Sequence, residues 1–258
     1  RINWLLEAGM KLHTSCEIGH DKSIGELEKD FDAIFLGIGS TASNEVKIEG
    51  EKSSNVHFAI DFLTGIQKRN LGSKNVSYID VTDKKVVVIG GGDTAMDCVR
   101  TSVREGAISV KCLYRRDEAN MPGSKKEVVN AKEEGVEFVF NVSPKSIKVE
   151  KNLAIGVELL KTSMGKSDTS ERQKVVLIEG SEYFEEADVI ILALGFSPEV
   201  PEFLKELNVE TNSWGGIIID SKFRTSNKKV YAGGDCQRGA HLAVTAAVDG
   251  REAAKAII

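Results

Sequence analysis

The sequence predicts an α/β protein in which one Rossmann-like, three-layer domain is inserted into a second, incomplete domain of related style. Three observations carry this. Residues 85–105 read as strand, glycine turn and helix. From there to residue 140 strands and helices alternate, which implies parallel strands joined by right-handed helical crossovers. The two ends of the chain share a looser style that the middle lacks. Residues 1–83 and 197–258 are therefore expected to belong together around an insert at 84–196.

In order along the chain, Ile2, Trp4, Leu5 and Leu6 already stand at helical spacing, and the opening helix should stop near Gly9. Arg1 follows no initiator methionine, so these residues are expected to come from the middle of a domain of a longer parent. Lys11–Ile18 has strand-like content. Ser23–Lys29 should be a short helix, because Ser23 as N-cap with Glu26 three residues on spells a capping box. Asp32–Gly39 (DAIFLGIG) is a continuous apolar run ending in glycine, as expected of a strand buried on both faces. Residues 43–54 are polar and irregular, and Ala59–Lys68 is expected to be helical.

The insert begins with a strand at Lys85–Ile89, then a glycine turn and a helix at Thr94–Glu105. A strand at Ser109–Tyr114, a helix at Lys125–Glu134 and a strand at Val136–Phe140 follow. Ala154–Thr162 and Lys174–Glu179, on either side of a polar linker, are expected to form an antiparallel flap. Ala187–Leu194 closes the insert as another buried strand, an echo of the earlier run (FLGIGS and ILALGF). The tail should hold strands at Gly216–Ile219 and Lys229–Ala232 and a last helix from about Leu242.

The 258 residues are 41% hydrophobic, enough for a real core in one large or two modest domains, and the formal charge is −5. The basic residues form no patch, which argues against nucleic acid as a partner. No apolar run reaches the roughly 18–20 residues of a membrane span, and no signal-peptide order is present. A folded, cytoplasmic protein is expected. Cys16, Cys98, Cys112 and Cys236 are scattered with no CxxC pair, so neither a metal centre nor a redox dithiol is spelled, and each is expected to be a small buried residue. His13, His20, His57 and His241 lack matched acids, and no hydrolase or metalloprotease motif occurs. No catalytic side chain and no metal ligand is expected.

The chemistry lies in Val86–Ala95 (VVVIGGGDTA), a strand running into GxGxxA at the mouth of a helix. Gly90 permits the tight turn, Gly92 lets a pyrophosphate approach the backbone, and Ala95 allows the helix to pack close on the strand. The phosphates would meet the free amides and positive end of that helix. The next strand ends Leu113-Tyr114-Arg115-Arg116, where an NAD site would place an acid for the ribose 2′-hydroxyl. Two guanidiniums there suit the 2′-phosphate of NADPH, with Lys125 and Lys126 adding charge from the same side. The bland alternative is a surface charge cluster balanced by Asp117 and Glu118. A third feature, Tyr231-Ala232-Gly233-Gly234-Asp235 followed by a helix, reads alone as a turn. Beside a GxGxxA unit it offers a carboxylate for a flavin ribityl hydroxyl and a helix end for the electron-rich edge of the flavin ring.

Three stretches then resemble a known family: Gly90–Ala107 (GGGDTAMDCVRTSVREGA), Tyr114–Phe138 (YRRDEANMPGSKKEVVNAKEEGVEF) and Ala232–Ala254 (AGGDCQRGAHLAVTAAVDGREAA). They are similar to the small subunits of NADPH-dependent glutamate synthases. The wider group is the FAD- and NAD(P)-binding pyridine nucleotide oxidoreductases, including the reductase part of dihydropyrimidine dehydrogenase. The resemblance implies a two-dinucleotide-binding-domain flavoprotein fold. It implies that Gly91, Gly92, Asp93 and Thr94 line the NADPH pyrophosphate, that Arg115 and Arg116 meet the 2′-phosphate, and that Ala193, Leu194 and Gly195 lie near the nicotinamide. On the flavin side it points to Ser40, Gly234, Asp235, His241, Leu242 and Ala243. Relatives often carry Arg where this chain has Lys125 and Lys126. It further implies hydride transfer from NADPH to FAD and onward passage through iron–sulfur clusters to a glutamate synthase large subunit, which makes glutamate from 2-oxoglutarate and glutamine-derived ammonia. Such proteins begin with a cysteine-rich iron–sulfur segment and a first GxGxxG for the ADP part of FAD. Neither precedes Arg1, so weak FAD binding and self-association through an incomplete sheet are expected. Two other readings are a ferredoxin:NADP reductase-type subunit with another acceptor, and an NADPH-binding module without turnover.

Overall fold

The computed structural model describes residues 2–167 and 173–258, so part of the polar linker expected inside the flap lies outside the described residues. In chain order the elements are α1 (Ile2–Glu7), α2 (Ile24–Asp30), β1 (Ile34–Leu36), β2 (Ala42–Ser43), β3 (Val56–Phe58), α3 (Ala59–Asn70), β4 (Lys85–Ile89), α4 (Asp93–Arg104), β5 (Ser109–Tyr114) and α5 (Lys125–Glu133). There follow β6 (Glu137–Phe140), β7 (Val142–Glu150), β8 (Leu153–Ser167), β9 (Gln173–Leu177), β10 (Tyr183–Glu186), β11 (Val189–Leu192), β12 (Phe196–Ser197), α6 (Phe203–Glu206), β13 (Val230–Ala232), α7 (Asp235–Arg238) and α8 (Ala243–Ile257). They divide into two compact units, Ser43–Gly195 and the paired segments Arg1–Ala42 and Phe196–Ile258.

In the larger unit a parallel sheet runs β3-β11-β4-β5-β6. Side chains along a strand alternate between faces, so β4 feeds two cores at once. Val86 and Val88 join Phe62 and Ile66 of α3, Met96 and Val99 of α4 and Ala131 of α5 on one side. Val87 and Ile89 join Ile147, Val157 and Leu159 of an antiparallel sheet on the other. That second sheet runs β10-β8-β7, with β9 also paired to β8. The result is three layers, helices, parallel sheet and antiparallel sheet. Because both faces of β4 and β11 are covered, an unbroken apolar run is what those positions require. Each fully buried Val or Ile contributes about 1.5–3 kcal/mol relative to exposure.

The boundary expected before Lys84 is not where the chain divides. β3, unforeseen in the polar stretch before α3, pairs in parallel with β11, and α3 packs into the helical layer, so residues 43–83 belong to the same unit as the glycine turn. The flap is likewise larger than two strands, since β7 and β10 complete a covering layer.

In the smaller unit β1 and β13 pair in parallel over a core of Ile24, Leu204, Leu207, Ile217 and Cys236. The capping box of α2 is present in both directions, with the Glu26 amide donating to Ser23 Oγ at 3.2 Å and the Ser23 amide to Glu26 Oε2 at 3.0 Å. Three expectations need correction here. Lys11–Ile18 is not a strand, and Ile18 makes only an isolated bridge to Lys22. Gly216–Ile219 is also not a strand, since Ile217 makes one bridge to Thr211. β1 is short and not buried on both faces, because Phe35 is 39% exposed while Leu36 is buried. Apolar content fills these segments, but without a neighbouring backbone to pair with it does not make strands.

Candidate functional site

A cleft of about 770 Å³ opens at the carboxyl ends of β4, β5 and β11, within the larger unit. This volume is in the range of cofactor sites. Gly90 follows β4 with φ 152°, and a Cβ there would lie 2.2 Å from the Ala193 carbonyl oxygen. At Gly91 a Cβ would strike the Tyr114 ring at 2.4 Å. Gly92 caps α4 in extended conformation, and a Cβ there would meet nothing within 4 Å. The turn therefore needs two glycines for its own packing, while the third faces open space. The amides of Gly91 and Gly92 make no hydrogen bond to a described residue, and α4 adds the free amides of its first turn. Such a row of donors at a helix start suits an anion.

The second wall begins at the end of β5. Arg115 is exposed and its guanidinium makes no hydrogen bond to a described residue, while Arg116 donates Nε to the Gln173 carbonyl at 3.2 Å. The acids beside them are engaged elsewhere. Asp117 accepts from the amide and side chain of Asn120, and Glu118 pairs with Lys132 at 2.6 Å. Neither acid makes an ion pair with the two arginines, and Arg115 and Arg116 both line the cleft. The third wall is Ala193–Gly195, tethered by the Asn44 side chain on the Leu194 carbonyl (3.2 Å) and the Asn44 amide on that of Gly195 (3.1 Å).

Nine of the expected residues meet here: Gly90, Gly91, Gly92, Thr94, Arg115, Arg116, Ala193, Leu194 and Gly195. Asp93 and Lys125 do not line the cleft. The Asp93 carboxylate turns to accept the Ser124 amide at 2.7 Å, and Lys125 and Lys126 stand exposed on the first turn of α5. The Asp93 carboxylate thereby latches the residue before α5 to the start of α4. Tyr114 was overlooked as a site residue: it floors the glycine turn and donates its hydroxyl to the Asn120 carbonyl at 2.9 Å. The aromatic ring directly before the arginine pair was the available signal.

Both cysteines of the larger unit are buried. Cys112 is buried beneath the turn, with Sγ 3.4 Å from the Gly90 carbonyl, and burial pushes its pKa up to about 12. Burial pushes Cys98 up as well. In the smaller unit Cys236 is buried, but Cys16 is exposed, contrary to expectation. His20 does meet an acid, its neighbour Asp21 at 2.9 Å, out on the surface.

The smaller unit brings together the residues expected on the flavin side. Ser40 Oγ donates to the Asp235 carbonyl at 2.9 Å, and the His241 amide donates to Asp235 Oδ1 at 3.3 Å. Asp235 Oδ2 makes no hydrogen bond to a described residue. Leu242 caps α8 and Ala243 opens it. Gly234, with φ 76°, is held by a residue that sequence reasoning missed, because buried Asp249 accepts its amide at 2.8 Å and pairs with Arg238. An acid in the middle of the largely apolar α8 was the signal for it.

The chain is 45% identical to the Escherichia coli K12 NADPH glutamate synthase small chain over 97% of its own length and 55% of that protein. It is 41% identical to the Azospirillum brasilense small chain, covering 100% of itself and 54% of the relative. It also matches the putative oxidoreductase AegA of Escherichia coli K12, at 43% identity over 97% of this chain and 39% of that protein. The chain thus spans about half the length of these curated relatives or less. Among solved structures, Mycobacterium tuberculosis FprA in complex with NADPH superposes with a TM-score of 0.75 at 17% identity, over 93% of this chain and 65% of that one. Thioredoxin reductase of T. acidophilum gives 0.63 at 21%, over 87% and 64%. These likenesses show the fold, a two-dinucleotide-binding α/β architecture. The family model for pyridine nucleotide-disulphide oxidoreductases matches residues 2–250, and the chain belongs to that family.

Proposed function

We propose that this chain is part of an NADPH-dependent flavoprotein oxidoreductase, with NADPH bound in the cleft of the larger unit and FAD addressed by the smaller one. Domain roles follow the two units: Ser43–Gly195 takes the nicotinamide nucleotide, and the flanking segments are part of the flavin-binding domain. The observation that carries the reading is the arginine pair. Arg115 and Arg116 directly follow the second strand of the glycine-turn unit, line its cleft, and pair with neither Asp117 nor Glu118. A 2′-phosphate would supply the missing anion.

The residues present fit the two cofactors. Open space at Gly92 leaves room for a pyrophosphate against the amides of Gly91–Thr94. Ala193–Gly195 give a wall on the side of the cleft away from the arginines, which would hold the nicotinamide. The free oxygen of Asp235 can accept from a ribityl hydroxyl, and the start of α8 presents a positive helix end. Bound together, the nicotinamide supplies a hydride and the flavin accepts it, chemistry that belongs to the cofactors and asks binding and orientation of the protein.

The relatives named glutamate synthase small chain support a large subunit of that enzyme as the acceptor. The resemblance noted from the sequence adds passage through iron–sulfur clusters, and glutamate biosynthesis in the cytoplasm is proposed with it. Among the described residues no three metal-ligating side chains group together, so this reading draws no cluster ligand from them. A second reading, the same reductase serving another acceptor, has its own support. The Geobacter sulfurreducens NADPH-Fe(3+) oxidoreductase subunit beta is 33% identical over 99% of this chain. Calorimetric titration with NADPH and NADH tests the core of the proposal. Tighter binding of NADPH supports it, and equal affinity removes it. The identity of a co-purifying subunit separates the two acceptors, and a visible spectrum without any flavin-dependent NADPH oxidation would leave only a binding module.

A further inference from the structure

The arginine pair is not held by its own strand alone. Thr162, on β8 of the antiparallel layer and only 5% exposed, donates Oγ1 to the Arg115 carbonyl at 2.9 Å. The Asn141 amide, at the junction of β6 and β7, donates to the Arg116 carbonyl at 3.1 Å, and the Thr162 amide in turn donates to the Asn141 carbonyl at 2.8 Å. Asn141 adopts φ 57°, a left-handed conformation that short amide side chains tolerate better than most. At the start of β9, Gln173 accepts from Arg116 Nε with its carbonyl (3.2 Å) and from the Asn120 side chain with Oε1 (3.3 Å). Both carbonyls of the pair and one guanidinium nitrogen are thus fastened by the covering layer, not by the Rossmann sheet.

We propose that Thr162 is a specificity-determining, positioning residue for NADPH over NADH, acting through the Arg115 backbone. This rests on the reading of Arg115 and Arg116 as the 2′-phosphate site. A guanidinium fork binds phosphate well only when its stem leaves the chain in a fixed direction, because ordering a long side chain at binding subtracts from affinity. The Thr162 hydroxyl fixes that direction for Arg115. Asn141 does the same for Arg116, and Thr162 anchors Asn141 as well. NADH has nothing for these forks to hold, so the fastening is felt by one cofactor and not by the other.

The test compares 2′,5′-ADP with 5′-AMP by calorimetry on the full chain. The unsubstituted chain should prefer 2′,5′-ADP. In Thr162→Val, which keeps the shape and loses the hydroxyl, affinity for 2′,5′-ADP should fall about tenfold while that for 5′-AMP stays within about twofold. Thr162→Ser should keep the original ratio. Equal losses for both ligands, or no loss, would overturn the proposal. A second measurement needs no substitution: amide exchange at Asn141 should slow with 2′,5′-ADP and not with 5′-AMP, and an identical response to both would also overturn it. If the unsubstituted chain shows no preference, the 2′-phosphate reading itself fails, a result seen before any variant is made.

Discussion

At Gly92 a Cβ would meet nothing within 4 Å, whereas at Gly91 it would lie 2.4 Å from the Tyr114 ring. Two neighbouring substitutions should therefore separate binding from folding. Gly92→Val, at an ordinary extended backbone angle, is expected to leave circular dichroism unchanged and to abolish nucleotide binding by filling the phosphate space. Gly91→Val must displace Tyr114 and should cost about 1–3 kcal/mol of stability in a denaturant titration. Arg115 offers a complementary test. With its side chain exposed and its guanidinium without a described partner, it should be replaceable by alanine with little change in Tm, while NADPH binding weakens by one to two orders of magnitude and NADH binding does not. The glycine spacing and the arginine pair were readable because chemistry dictates those residue types locally. The hydrogen bond from the Ser124 amide to the Asp93 carboxylate was not, since its partner lies 31 residues away.

α4 and α5 are joined by ion pairs: Glu134 accepts from Arg100 (2.7 Å) and Arg104 (2.7 Å), while Glu127 also pairs with Arg100. Hydrogen bonds from Arg100 and then Arg104 hold the Glu134 pKa below the ordinary range. A depressed carboxylate stabilises the fold above its unfolded pKa, about 4.3, and loses that contribution as pH falls through the folded value. Glu134→Gln should accordingly flatten the acid limb of stability between about pH 5 and pH 3, with little further effect of pH near neutrality. A pH-stability profile parallel to that of the unsubstituted chain would contradict this. Ser23→Ala should cost α2 about 1 kcal/mol by removing its capping box. Helices with caps and buried strands with glycine stops were legible because their signals are local. Lys11–Ile18 and Gly216–Ile219 misled because a strand also needs a partner, and β3 was missed because three residues carry no period of their own.

Across the whole molecule the flavin side offers Asp235, Ser40 and the start of α8, groups that suit a ribityl chain and a ring system. None of them supplies a glycine turn for the FAD pyrophosphate of the kind seen at Gly90–Gly92. This chain by itself is therefore expected to bind NADPH and to hold FAD weakly, with little NADPH oxidation when flavin is added. Flavin fluorescence after heat release from the purified chain checks this, and stoichiometric FAD would refute it. The amino-acid sequence by itself determined the α/β class, the strand-turn-helix at residues 85–105, the arginine pair and the Gly-Gly-Asp turn, since each depends on residues within a few positions of one another. Only the tertiary structure decided that the unit begins at Ser43, that an antiparallel layer covers the second face of the sheet, and that Tyr114 lies under the glycine turn, Thr162 holds the Arg115 carbonyl and Asp249 holds the Gly234 amide. Those depend on pairings between backbone segments dozens of residues apart, where packing and hydrogen-bond satisfaction decide and local sequence pattern carries no record of the partner.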